Sequence, residues 1–130
     1  MPGLLERDAA LTPIRLLPIN SAAESKGSIH DDEKAREMGY RGGLVSGSTI
    51  LAYMSRLMFE SFGADWLAGS TLSGRLRRPV YEGGEVSIEG TVVEPPSAAN
   101  GSRVTVELRV ITPEGDVAAI GQASCIVGGN

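Results

Sequence analysis

In the second half of the chain apolar and polar residues alternate. Val104, Val106, Leu108 and Val110 interleave with Arg103, Thr105, Glu107 and Arg109, the two-residue period of a strand with one buried and one wetter face. Val86, Ile88 and Val92 keep the same period, and Gly90 interrupts it where a bulge or a close contact is expected. Two more strands are predicted over 72–78 and 117–127. The intervening runs EGGE, EPPSAANGS and TPEGD suit turns and loops that join antiparallel neighbours. An early strand over 14–19 is flanked by Pro13 and Pro18, which suits a sheet edge.

The first half changes to a helical period. Ile50, Met54, Leu57 and Met58 form one stripe of a helix predicted over 48–62, and Leu51, Tyr53 and Phe62 widen it, so the helix is expected to be mostly buried. Ser46 or Ser48 can cap its start, and Gly63 stands where a left-handed residue would end it. Arg56 and Glu60 are its formal charges. Tyr53 and Trp66 lie at apolar positions in or just after this helix and read as core or interface residues. A shorter helix is signalled by HDDEKAREMG, in which Asp31, Asp32 and Glu33 crowd the positive end and Gly39 supplies the stop. Ser28 and Asp31 also have the spacing of a capping box.

The order is strand, short helix, long apolar helix, then several strands. A long apolar helix needs an apolar surface around it, and a curved antiparallel sheet wrapped about the helix supplies one. The fold class expected is therefore α+β, a hotdog fold, with residues 1–130 forming a single domain. There is no repeat, low-complexity tract or linker to divide it.

Composition narrows the function. The chain is 42% hydrophobic and 22% charged, with no apolar run near the roughly 20 residues that span a bilayer. Glu6, Arg7 and Asp8 near the start do not resemble a secretory signal, so cytoplasmic residence is the expectation. A single cysteine, Cys125, allows neither an intrachain disulfide nor a cysteine-based zinc site within one copy. A net charge of -4 with thinly spread basic residues argues against a nucleic-acid partner. Small molecules and other subunits remain as partners.

The segment SIHDDEKAREMGYRGGLVSGSTILAYMS, followed by LSGRLRRPVYEGGEVSIEGTVVE, resembles the MaoC-like hotdog proteins, which include (R)-specific enoyl-CoA hydratases. The resemblance covers roughly residues 20–95. It rests on a histidine opening a short helix, a G-Y-R-G-G turn, a V-x-G run into the long helix and an R-R-P-V-Y strand end. In those hydratases a D-x-N-P-x-H motif carries the aspartate and histidine that activate water for addition to a carbon–carbon double bond. Alignment on His30 puts Ser25 at the aspartate position, Gly27 at the asparagine and Ser28 at the proline. Serine is a poor general base at neutral pH, and Glu24, one residue earlier, is the carboxylate that a small shift of the loop would present.

His30, the only histidine, has the chemistry of a base, taking a proton from water or from an acidic carbon; the plainer reading is that it flanks a helix. The Gly47 amide at the start of the long helix can serve as an oxyanion hole for a thioester carbonyl, or Gly47 can serve the tight turn alone. Ser25, Ser46 and Ser48 are candidate substrate contacts beside these groups. The resemblance places Arg77 and Arg78 near the acyl-thioester entrance, where an arginine can meet a phosphate of coenzyme A or of a phosphopantetheine, while a solvated strand end is the alternative. Met54 and Met58 can line an acyl tunnel or serve core packing.

The function expected is a hydratase or dehydratase, a lyase acting on an acyl thioester or related conjugated carbonyl compound, with His30, Glu24 and Gly47 as its catalytic groups. No metal or redox cofactor is implied, and the resemblance implies a homodimer or dimer of dimers. Two alternatives stay open: a non-catalytic protein that binds an acyl or small hydrophobic ligand, or another reaction on the same scaffold, such as thioester hydrolysis, isomerisation or cyclisation.

Overall fold

The structure, a computed structural model, describes residues 6–20 and 27–128. Five strands, β1 (Ile14–Leu16), β2 (Thr71–Leu76), β3 (Val86–Glu94), β4 (Arg103–Ile111) and β5 (Val117–Ile126), make one antiparallel sheet in the order β1-β3-β4-β5-β2. Two helices precede β2: α1 (Asp32–Glu37) and α2 (Gly47–Phe62). Helix α2 packs across β2, β3, β4 and β5, so the sheet wraps the long helix as a hotdog fold requires.

The alternation in β4 is realised fully. Val104, Val106, Leu108 and Val110 are buried beneath α2, and their cross-strand partners on β5 are Cys125, Ala123, Gly121 and Ala119. These small β5 residues let the helix approach. Gly121 faces Gly74 of β2 in register, and a Cβ at Gly121 would lie 2.8 Å from Met54 Sδ. The helix contributes Ile50, Met54, Leu57 and Met58 to the core, removing the apolar stripe from water at about 25 cal/mol per Å².

Several boundaries differ from expectation for definite reasons. Strand β1 stops at Leu16 instead of running to residue 19, because Pro18 brings no N–H to a ladder and the Ile19 amide donates to the Tyr53 hydroxyl on α2 at 3.0 Å. β2 stops at Leu76, where the amides of Arg77 and Arg78 both turn to the Ala118 carbonyl, at 2.7 and 3.1 Å. Gly90 holds regular register opposite Leu108, so it is a close-contact position: a Cβ there would lie 3.0 Å from Leu11 and Val106. The bulge falls between Val92 and Glu94.

The cap of α1 is Asp31, whose carboxylate accepts the Lys34 amide at 3.2 Å. Ser28 is not that cap; its hydroxyl accepts the His30 amide at 3.2 Å. Gly39, with φ of +95°, ends the turn after α1, and Gly63, with φ of +61°, ends α2 and opens a short 3-10 turn over Gly63–Leu67. Within that turn Trp66 is buried and donates to Ser55 Oγ at 2.9 Å. Among the described residues no helix is long and apolar enough to cross a membrane.

Candidate functional site

His30 lies just before the cap of α1, partly buried. Its Nδ1 is 2.7 Å from the Leu44 carbonyl oxygen. A carbonyl only accepts, so in the neutral ring Nδ1 carries the proton and Nε2 keeps the lone pair. That is the arrangement a base needs: one nitrogen anchored, the other able to take a proton.

The loop that supplies Leu44 is bound to the histidine along its length. The Leu44 amide donates to the Ile29 carbonyl at 2.9 Å, and the Gly43 amide donates to Asp32 Oδ1 at 2.7 Å. At Gly43 a Cβ would collide with the His30 carbonyl oxygen, so the two backbones meet more closely than any other residue allows. Arg41, earlier in this loop, is exposed and sits 4.4 Å from the centre of the Tyr81 ring, a cation–π contact.

From Leu44 the chain runs directly into α2. The Val45 amide donates to the Val80 carbonyl at 2.8 Å, and Ser46 caps the helix, its hydroxyl accepting the Thr49 amide and lying 2.9 Å from Thr49 Oγ1 and 3.2 Å from Ser48 Oγ. Gly47 and Ser48 open the helix, so their amides have no carbonyl one turn earlier to receive them. Gly47 is three positions on from Leu44, which bounds their Cα separation at about 10 Å. His30 is thus tied through Leu44 to the segment that opens α2 at Gly47.

Beside Gly47 lies an apolar cavity of about 220 Å³, lined among others by Ile50, Leu51, Met54, Gly74 and Leu76. Met54 borders it and Met58 does not, so Met58 is a core residue alone. Leu76 is one of its lining residues, and the next residues, Arg77 and Arg78, are exposed and border a polar groove of about 650 Å³ with Asp116. Glu24 and Ser25 lie outside the described residues.

Two residues were absent from the candidate set. Asn20 is 7% exposed, one of two buried polar residues among those described, and its Nδ2 donates to the His30 carbonyl at 2.8 Å. The Glu82 carboxylate accepts the Asn20 amide at 2.7 Å across 62 positions of sequence. The one local signal was that Asn20 is polar at the end of an apolar run.

No family model matches the chain, and no curated protein matches it in sequence. Solved structures do. The chain is similar to the (R)-hydratase from A. caviae involved in PHA biosynthesis, at 22% identity and a TM-score of 0.74 over 95% of this chain and 97% of that one. It is similar to the MaoC-like dehydratase from Rhodospirillum rubrum at 25% identity and a TM-score of 0.70, covering 95% and 92%. A chain of the ChsH1-ChsH2 complex from Mycobacterium tuberculosis matches at 17% identity and a TM-score of 0.75, covering 94% and 98%. The chain has the hotdog fold, and its structural neighbours include MaoC-like dehydratases, (R)-hydratases and a thioesterase superfamily member from Thermus thermophilus.

Proposed function

We propose that the chain is a hydratase or dehydratase acting on an acyl thioester or a related conjugated carbonyl compound. The observation that carries this reading is the Leu44 segment, which fixes the His30 proton on Nδ1 and three residues later opens α2 at Gly47 beside an apolar cavity. In the hydration direction His30 Nε2 takes a proton from water as the water oxygen bonds to the β-carbon. The electron pair of the double bond moves onto the thioester oxygen, where the Gly47 amide stabilises it. Return of a proton to the α-carbon completes the addition, and dehydration is the reverse. Glu24 is the carboxylate proposed to share the proton traffic, with Ser25, Ser46 and Ser48 proposed as substrate contacts. Arg77 and Arg78 follow Leu76 of the cavity lining and are proposed to meet a phosphate of the thioester carrier.

The exposed outer edge of β2, at the end of the sheet, supports a homodimer or dimer of dimers, which light scattering reads as a multiple of the 13.6 kDa chain mass. The residues of 1–130 are proposed to act as a single domain.

The test is loss of enoyl absorbance with crotonyl-CoA and longer trans-enoyl-CoA substrates. Turnover that falls in His30→Ala and Glu24→Gln supports the reading; no turnover at high protein concentration sinks it. A specific observation favours a second reading: Ser25 stands where the hydratase motif has its aspartate. A non-catalytic acyl-binding protein would retain such a ligand chemically unchanged.

A further inference from the structure

The grip on His30 does not end at its ring. Three groups converge on its backbone: the Ser28 hydroxyl on its amide, the Asn20 side-chain amide on its carbonyl, and Gly43 in close approach to the same carbonyl. Asn20 reaches the histidine from ten residues upstream, and it is itself held, because its own amide donates to the Glu82 carboxylate just beyond the Val80 carbonyl that receives Val45. One side of this frame therefore fixes the residue carrying the imidazole. The other fixes the Leu44 segment carrying the acceptor for Nδ1. A buried amide that donates to a backbone carbonyl is costly to leave unpaired, so its presence beside the only histidine needs a reason.

We propose that Asn20, anchored by Glu82, is a positioning residue that sets the backbone of His30 so that Nδ1–H meets the Leu44 carbonyl and Nε2 keeps its lone pair. Asn20 meets His30 at its backbone carbonyl and is not among the residues that line the apolar cavity beside Gly47. It acts through His30, so its removal frees the imidazole to rotate or exchange tautomers without altering the cavity. The catalytic consequence rests on the hydratase reading above; the tautomer consequence does not.

Because the chain has one histidine, untagged protein labelled with nitrogen-labelled histidine gives one pair of ring-nitrogen resonances, recorded where the ring is neutral. The wild type is expected to show the Nδ1–H form. Asn20→Ala and Glu82→Ala are expected to shift it toward a mixture of tautomers. Glu82→Gln keeps an acceptor oxygen and should recover most of what Glu82→Ala loses. With an enoyl thioester turned over by the wild type, the Asn20 change should lower kcat by about tenfold to a hundredfold with KM within about twofold.

A folded Asn20→Ala protein with wild-type ring resonances overturns the proposal, as does a wild type carrying its proton on Nε2. If Asn20→Ala does not fold, the Glu82→Ala and Glu82→Gln pair decides by the same resonances. If no thioester is turned over, the hydratase reading fails and the ring resonances still decide the positioning role.

Discussion

The β3–β5 body and the loop joining α1 to α2 sit side by side and are held by different physics. In the body, Ile88, Val92, Val104, Val106 and Leu108 are fully buried, and the ladder repeats one residue pair after another. In the loop, Gly43 and Val45 are buried, but order comes from individual hydrogen bonds: Leu44 to Ile29, Gly43 to Asp32, His30 to Leu44, Asn20 to His30. Burial is spread over many atoms and tolerates small errors of placement. A chain of single hydrogen bonds is directional, so it specifies the orientation of one ring at little gain in stability. Damage to the body should therefore appear as unfolding, and damage to the loop as lost chemistry in a folded protein.

The sharpest break of that comparison is His30→Ala. If His30 is the base, turnover of an enoyl thioester should fall by roughly 10²–10⁴-fold, while the thermal midpoint stays near that of the wild type. A large loss of stability in this variant would mean the two regions are not separate. Leu108→Ala is the reciprocal case. It removes a fully buried side chain opposite Gly121 on β5. The expected cost is about 2–5 kcal/mol in denaturant unfolding, a large part of the 5–15 kcal/mol typical of a domain. Its kcat, measured below the unfolding transition, should change little.

Cys125 tests the body by pH. Burial raises its thiol from the ordinary 9.0, the negative charge of Asp65 adds to this, and Arg103 opposes it. The unfolded chain thus loses that proton at lower pH than the native one does. The contribution to stability is complete below 9.0 and declines as the pH climbs through the raised native value. Denaturation midpoints at about pH 8 and about pH 10 should differ more in the wild type than in Cys125→Ala. Equal differences would remove the cysteine as the cause.

The same division explains what could be read in the sequence. The alternation at Val104–Val110 and the stripe at Ile50, Met54, Leu57 and Met58 are repeated signals, because each buries one face against a continuous surface. They give strands, helix and fold together. His30 and Gly47 were visible as a histidine before a helix and a glycine at the start of another. Asn20 and Glu82 were not, since a contact spanning 62 positions leaves no period and neither residue type is unusual in a loop. Gly43 looked like a turn residue; its close approach to the His30 carbonyl exists only once the two segments meet. The shift of the α1 cap from Ser28 to Asp31 is of the same kind, because Ser28 is occupied by the His30 amide.

Ser46 stands at the boundary between the two regions, capping α2 while continuing the Leu44 segment. Ser46→Ala should cost about 1 kcal/mol of stability from the lost cap. If the cap also holds the Gly47 amide in place, kcat should fall with it, whereas a purely structural cap would leave kcat alone. The smallest effect belongs to Arg56 and Glu60 on the exposed side of the same helix. Their side chains meet at 2.7 Å but are 60% and 46% exposed, so water screens the pair. A double-mutant cycle should return about 0.3–0.5 kcal/mol, lower still at high salt. Turnover should be unchanged, since the two residues lie about 2.5 and about 3.6 helical turns from Gly47 and on neither the cavity nor the His30 loop. A measurable fall in kcat on breaking it would show that the outer face of α2 is coupled to its first turn, and that the helix transmits strain instead of isolating the site from its surface.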